Sequence, residues 1–243
     1  RVLEVWRAGK VVAQDGMLLQ KAHAEAVPEA LLSTMHLEKV SPKAFTFKPK
    51  ATSSVISVIS GQIITERREK TIRTDVDGVF DAQLNPGIVE IAVLERHHAT
   101  GRVGLGLIEG YTAPGSFMDG ALATSVAHDA HNIIVAGDSN ADMALAVNTV
   151  RDMGGGMCVV KKGSVIASLA LPIAGLMSDQ PALSVAQKKR LFRETAVREL
   201  SIAEGVNPAM TLSFMALTAI PQIRITDWGL FDAEKFAFID ENR

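Results

Sequence analysis

Three runs rich in β-branched residues, 55–59, 62–65 and 89–94, constrain this chain to a sheet-based core. Asp75-Val76-Asp77-Gly78 supplies a turn between the second and third of them. Residues 103–108 alternate glycine with apolar side chains, which predicts a strand whose bare face is closely covered by another element. Residues 121–126 and 132–136 are two further strand candidates on either side of a polar interruption. Residues 157–160 and 165–169 read as a hairpin turning at Lys162-Gly163.

Helices alternate with these strands. Asp138 or Ser139 can cap a helix that follows, with Met143, Val147 and Val150 at helical spacing and Gly154 placed to end it. Residues 184–204 form a second amphipathic pattern, with Val185, Leu191, Phe192, Ala196, Leu200 and Ala203 towards the core and Gly205 after it. The run Phe214-Met215-Ala216-Leu217 with Ile220-Pro221, and the stretch from Thr226 to Asp232, read as core plus a turn, with Trp228 and Phe231 available to border a pocket. The predicted fold class is α/β or α+β: a mixed sheet with flanking helices, about 190 residues long.

Ahead of this domain the pattern differs. Residues 2–7 and 10–14 read as a hairpin around Ala8-Gly9-Lys10, with Asp15-Gly16 as a second turn. A hairpin of that size is unstable alone, so its partner strands are expected upstream, and Arg1-Val2-Leu3-Glu4-Val5-Trp6 reads as the middle of a strand in a truncated chain. Residues 21–50 carry Pro28, Pro42 and Pro49 with little periodicity and read as a connecting segment with one short helix near residues 28–35. The expected division is 1–50 and 51–243.

The formal net charge is −2, from 25 Lys and Arg against 27 Asp and Glu, which provides no electrostatic case for binding nucleic acid or an anionic membrane. No apolar run has the length of a membrane span. Cys158 is the only cysteine, so no intrachain disulfide forms and a reducing, cytoplasmic setting is expected.

Two constellations can carry chemistry. Glu95-Arg96-His97-His98 ends an apolar strand, where adjacent side chains point to opposite faces, so one histidine at most is expected to face a given pocket. Its alternative is a strand-end pair, one histidine held in the core and one solvated. His128-Asp129-Ala130-His131-Asn132 interrupts two apolar stretches; the two histidines share a helical-turn spacing, and Asp129 can orient one of them. Its alternative is a turn in which Asp129 and Asn132 bond their own backbone. No full metal site is visible: there is no His-x-His, no His-Glu-x-x-His, and no second cysteine near Cys158. Gly154-Gly155-Gly156 follows a helix rather than preceding one, which is the wrong order for a phosphate loop.

Several of these stretches together resemble the C-terminal domain of bacterial adenine deaminases of the amidohydrolase superfamily. The motifs are Glu95-Arg96-His97-His98 with Thr100-Gly101, the segment 125–137 around the His128–Asn132 knot, and Asp142-Met143-Ala144-Leu145-Ala146. They continue through Gly154-Gly155-Gly156, residues 171–178, and residues 210–214 on to Leu230-Phe231-Asp232, in matching order from about Thr52. The opening hairpin is similar to the small β-sandwich flanking the amidohydrolase barrel. The resemblance implies a hydrolase that converts adenine to hypoxanthine and ammonia, in purine salvage and adenine catabolism, using a divalent metal (manganese or iron, with zinc the alternative) on an upstream barrel. It implies a homo-oligomer such as a dimer, and no metal ligand in this chain. His97, His98, His128, Asp129, His131 and Asn132 are then expected to line the active site without binding metal, with an inactive fragment on its own. A structural or oligomerisation module is the alternative.

Overall fold

The computed structural model describes residues 1–19 and 26–239, so the first part of the predicted connecting segment, residues 20–25, lies outside them. Strands β1 (Glu4–Arg7), β2 (Lys10–Gln14) and β3 (Met17–Leu18) form a small antiparallel sheet. Left-handed pairs at Ala8-Gly9 and Asp15-Gly16 make its two tight turns, as the sequence predicts. Nothing in this sheet is buried, and Trp6, Met17 and Leu18 are exposed.

Residues 29–47 lie next. A single 3-10 turn, Glu29–Leu31, falls where a short helix is expected, and a second, Pro42–Phe45, precedes Phe47; both phenylalanines are fully buried. Asn148 clasps this segment by accepting from the Val40 N–H at 2.9 Å and donating to the Val40 carbonyl at 2.8 Å.

The body is one eight-stranded sheet built from β4 (Thr52–Val58), β5 (Thr65–Thr71), β6 (Ile88–Leu94), β7 (Val103–Glu109), β8 (Ala121–Thr124), β9 (Ile133–Gly137), β10 (Gly156–Lys161) and β11 (Ser164–Ala170). The order is β11-β10-β8-β9-β6-β7-β4-β5, with β4–β7 parallel and the other neighbours antiparallel, so the sheet is mixed and open. The expected strand at 62–65 is displaced: Gln62, Ile63 and Ile64 lie in a turn, and the strand runs on through Glu66-Arg67-Arg68-Glu69-Lys70. The reason is position. Among the described residues β5 pairs only with β4, and charged side chains on a sheet edge keep it from pairing with other chains.

Each face of the sheet is covered. On one, α1 (Asn140–Asp152) packs with Phe45 against Ala92, Leu94, Val135 and Cys158. Ser139 caps α1 by accepting from the Asp142 N–H, and Gly154 (φ +74°) follows the helix end. On the other face lie α2 (Ala182–Glu199), α3 (Pro208–Met215) and a small sheet of β12 (Ile223–Thr226), β13 (Gly229–Asp232) and β14 (Ala237–Phe238). The glycines of β7 take this cover directly. A Cβ on Gly104 would lie 1.9 Å from the Thr226 carbonyl oxygen, and one on Gly106 would lie 3.0 Å from Leu230. The expected close cover of a bare strand is therefore the β12–β13 hairpin.

One helix prediction needs correction, and one apolar run proves partly helical. In α2, Leu191 is 63% exposed while Phe192, one position on, is buried with Thr195 and Ala196. The rest of the expected face holds, with Phe192, Ala196 and Leu200 buried and Val185 and Ala203 packed against the same core, and α2 ends at Glu199 because Ser201 is left-handed at φ +50°. The run at 214–217 belongs partly to α3, which starts at Pro208 with Asn207 accepting from the Met210 N–H at 3.3 Å.

Candidate functional site

The polar residues at the ends of β6, β8 and β9 meet at one corner of the sheet. The turn after β6 is built by Glu95, whose carboxylate accepts from the backbone N–H groups of His97, His98 (2.9 Å) and Thr100 (3.2 Å) and from the Thr100 hydroxyl (2.9 Å). Burial pulls this carboxyl upward, but the four donors outweigh it and hold it at about 2. Arg96 is buried and serves as a staple. Its guanidinium donates to the carbonyls of His131, Thr34 (2.9 Å) and Ala174 (3.0 Å), three segments far apart in sequence. The fork geometry of arginine suits this convergence of carbonyls.

The glycines 154–156 serve the same corner. A Cβ on Gly155 would lie 2.3 Å from the Cα of Gly175, and one on Gly175 would lie 3.2 Å from the Arg96 guanidinium. Gly156 donates to the Ser125 hydroxyl at 2.8 Å, and that hydroxyl donates to the Gly175 carbonyl at 2.6 Å. The triplet is therefore a helix-to-strand turn in close backbone contact with the 173–177 loop.

The six candidate residues occupy different places. His98 is exposed. His97 Nε2 lies 2.8 Å from the Ala130 carbonyl oxygen, which only accepts, so Nε2 carries the proton and ties the two motifs together. His128 rests on the Phe214 ring, centroids 4.9 Å apart, and meets His131 edge-on at 5.7 Å. The His128 N–H donates to the Ser213 carbonyl at 3.0 Å. His131 adopts a left-handed backbone (φ +51°), and its Nδ1 is buried without a partner among the described residues. Burial, then His128 and Arg96 close by, holds its imidazole below the ordinary histidine range. Asp129 and Asn132 line a cavity of about 290 Å³ that the four histidines do not line.

Sequence reasoning did not single out one residue of that cavity, Asp227, nor its partner Arg102. Asp227, in the turn between β12 and β13, accepts from Asn132 Nδ2 at 3.3 Å and from Arg102 Nε at 2.8 Å. The Arg102 guanidinium in turn stacks 4.5 Å from the centre of the Trp228 ring. Asn132 completes the link to the first motif by accepting from the Arg96 N–H at 3.3 Å. Arg102 and Asp227 are 125 positions apart, and no local pattern joins them. The one available signal was Trp228, an aromatic residue beside an acid in a turn.

Among the described residues no group of three or more His, Cys, Asp or Glu side chains is placed to hold a metal ion. The donor atoms are spent otherwise: His97 on a carbonyl, and Glu95 on backbone N–H groups. These side chains do not fit a divalent metal. Cys158 is buried under α1, and burial pushes its thiol up to about 11, so it is a core residue with little thiolate character.

The family described as adenine deaminase C-terminal domain matches residues 62–237. A protein named adenine deaminase from Nitratidesulfovibrio vulgaris (strain DP4) is 42% identical over 238 residues, covering 98% of this chain and 40% of that protein. Adenine deaminase 2 of Carboxydothermus hydrogenoformans is 38% identical over 237 residues, covering 97% of this chain and 40% of that protein. Adenine deaminase of Clostridium acetobutylicum is 36% identical over 240 residues, covering 98% and 41%. The chain thus spans about two fifths of the length of these relatives.

Proposed function

The chain belongs to the adenine deaminase C-terminal domain family, and on that premise we propose that it is the C-terminal portion of a larger metal-dependent hydrolase that turns adenine and water into hypoxanthine and ammonia. The observation that carries this reading is the match of 97–98% of the chain to proteins named adenine deaminase. In it, an upstream amidohydrolase barrel holds the divalent metal, manganese or iron with zinc the alternative. A bound metal of that kind supplies hydroxide near neutral pH. The residues of this chain bind no metal; they orient the base and exclude water. Residues 51–243 form the C-terminal domain, and residues 1–50 comprise a remnant of the β-sandwich that flanks the barrel together with a linker. The whole enzyme works in the cytoplasm, in purine salvage and adenine catabolism, as a homo-oligomer such as a dimer.

The His128–Asn132 loop is the part of this chain that closes the active site. Its support is that Asp129 and Asn132 line a cavity there and that His131 Nδ1, in the same loop, is buried without a partner among the described residues. The test is ammonia release from adenine by the full-length protein with single changes His128→Gln and His131→Gln. The expected outcome is a fall in kcat/KM of about tenfold or more at unchanged metal content. Wild-type kcat/KM in both variants would sink the closing role. The present chain, assayed alone with adenine and Mn²⁺, is expected to release no ammonia.

A second reading, an assembly module without catalytic contact, is favoured by the small β1–β3 sheet. Val5, Trp6, Met17 and Leu18 are all exposed on it, and a three-stranded sheet with no core needs a covering partner. Light scattering on the full-length protein with Trp6→Ser and Leu18→Ser separates the two. Loss of oligomer with kcat retained supports assembly; loss of activity in an intact oligomer supports the first reading.

A further inference from the structure

The cavity behind the His128–Asn132 loop has a chemistry of its own. Its polar lining consists of the carboxylates of Asp129 and Asp227, the amide of Asn132 and the hydroxyls of Thr218 and Thr226. No lysine, arginine or histidine among the described residues lines it. Arg102 sits behind two of the lining residues, held by Asp227 at 2.8 Å and stacked on Trp228. The site therefore has a negative field and an excess of acceptors. It disfavours phosphates, carboxylates and carbonyl oxygens, and it suits a ligand that presents N–H groups.

Capacity remains for such a ligand. Asp227 uses one oxygen on Arg102 and the other, at 3.3 Å, on Asn132, and each carboxylate oxygen accepts more than one bond. Trp228 presents one ring face to Arg102 and remains 66% exposed while lining the cavity, so it offers a flat apolar wall. Val93, Ala127 and Ala216 add apolar surface. At about 290 Å³ the space lies at the lower end of small-molecule pockets, the size of one or two fused rings rather than a nucleotide.

We propose that this cavity is a recognition site for a small flat heteroaromatic amine, with Trp228 as the stacking wall and Asp227 as the acceptor of the exocyclic N–H. The choice of adenine as that amine rests on the deaminase reading. With adenine the site also distinguishes substrate from product. Hypoxanthine carries an oxygen where adenine carries the amine, and that oxygen would face the Asp129 and Asp227 carboxylates, with the Asn132 amide and the threonine hydroxyls as the side-chain donors in the lining.

The test uses the whole 243-residue chain with Trp6→Phe, which leaves Trp228 as its only indole. Trp228 fluorescence is followed while adenine or hypoxanthine is added. The expected result is a saturable change, with adenine bound about tenfold or more tightly than hypoxanthine. Asp227→Asn is expected to reduce that preference to less than about threefold. Ala130→Phe, which fills the cavity from an exposed position, is expected to abolish both responses with an unchanged melting profile. Equal affinity for the two bases, no saturation with either, or a preference untouched by Asp227→Asn would overturn the proposal. Ammonia release by the full-length protein separates the two ideas. Turnover of adenine without binding at this cavity removes the recognition site and leaves the deaminase reading. Tight, Asp227-dependent binding of aromatic amines without turnover does the reverse.

Discussion

The two ends of β6 carry the same functional group in opposite conditions. Glu90, near the start, and Glu95, just past the end, are 3% and 4% exposed. Glu90 has an oxygen with no partner among the described residues, and burial raises its carboxyl well above the ordinary range. Glu95 meets four donors and is held at about 2. Burial is thus common to both; what differs is the supply of N–H groups. The sheet interior around Glu90 has already used its N–H groups in the ladder, whereas the turn after β6 has backbone groups to spare. Function follows the same division. At the Glu95 end the polar atoms are largely satisfied by one another, and Asp129, Asn132 and Asp227 line a cavity.

The strongest way to break this comparison is to remove the staple at the Glu95 end. Arg96→Met keeps much of the stem volume but leaves the carbonyls of Thr34, His131 and Ala174 without their donor. A loss of roughly 4 kcal/mol is expected, from several buried acceptors at about 1–3 kcal/mol each. Urea unfolding measures it. A loss below about 1 kcal/mol would mean that water replaces the guanidinium freely and that the corner is not the closed network described.

Next is Glu95→Gln, expected to cost about 2 kcal/mol at neutral pH, because a neutral amide accepts more weakly and turns a donor towards an N–H. The pH dependence has a definite sign. The folded carboxyl titrates at about 2, below its unfolded value of 4.5, so its contribution is complete above that unfolded value and fades as pH falls towards 2. Wild type and variant should therefore converge in acid. A gap independent of pH would show that packing, rather than the charge, holds the turn.

Glu90 is expected to behave in the opposite way. Its folded carboxyl is raised, so the unfolded chain gives up its proton first and Glu90 costs stability as pH rises through the unfolded value. Glu90→Met removes the unpartnered oxygen and should stabilise the fold by about 1 kcal/mol at pH 8, and by less at pH 4. A destabilised variant at pH 8 would mean that a water or ion meets Glu90 after all.

Much of the fold could be read directly from local pattern. Alternating glycines at 104 and 106 pointed to a closely covered strand, and Ser139 with Gly154 marked the ends of α1, because each depends on backbone geometry within a few residues. The charged edge strand β5 and the exposure of Leu191 in α2 were not legible, since both depend on which neighbour happens to be absent or present. The site divides likewise. Both motifs announced themselves by polarity against apolar flanks, and the structure joins them through His97 and Ala130. The partners that give the corner its chemistry, Asp227 with Arg102 and Arg96 with Thr34 and Ala174, are brought in from 62 to 125 positions away.

The smallest expected effect separates adjacent residues. His98 is exposed and without a hydrogen bond from its ring among the described residues, so His98→Ala should change stability by no more than about 0.5 kcal/mol. His97 holds the Ala130 carbonyl at 2.8 Å, so His97→Ala should cost about 1 kcal/mol and loosen the loop that carries Asp129. Loosening is read by hydrogen exchange at residues 128–132, which should rise in the His97 variant and stay at the wild-type level in the His98 variant. Equal exchange in the two would mean that the knot holds its shape without the first motif. In that case the cavity is organised from the other side, by Asn132, Asp227 and Arg102 alone, and the meeting of the two histidine-bearing motifs is a matter of packing rather than of support for the site.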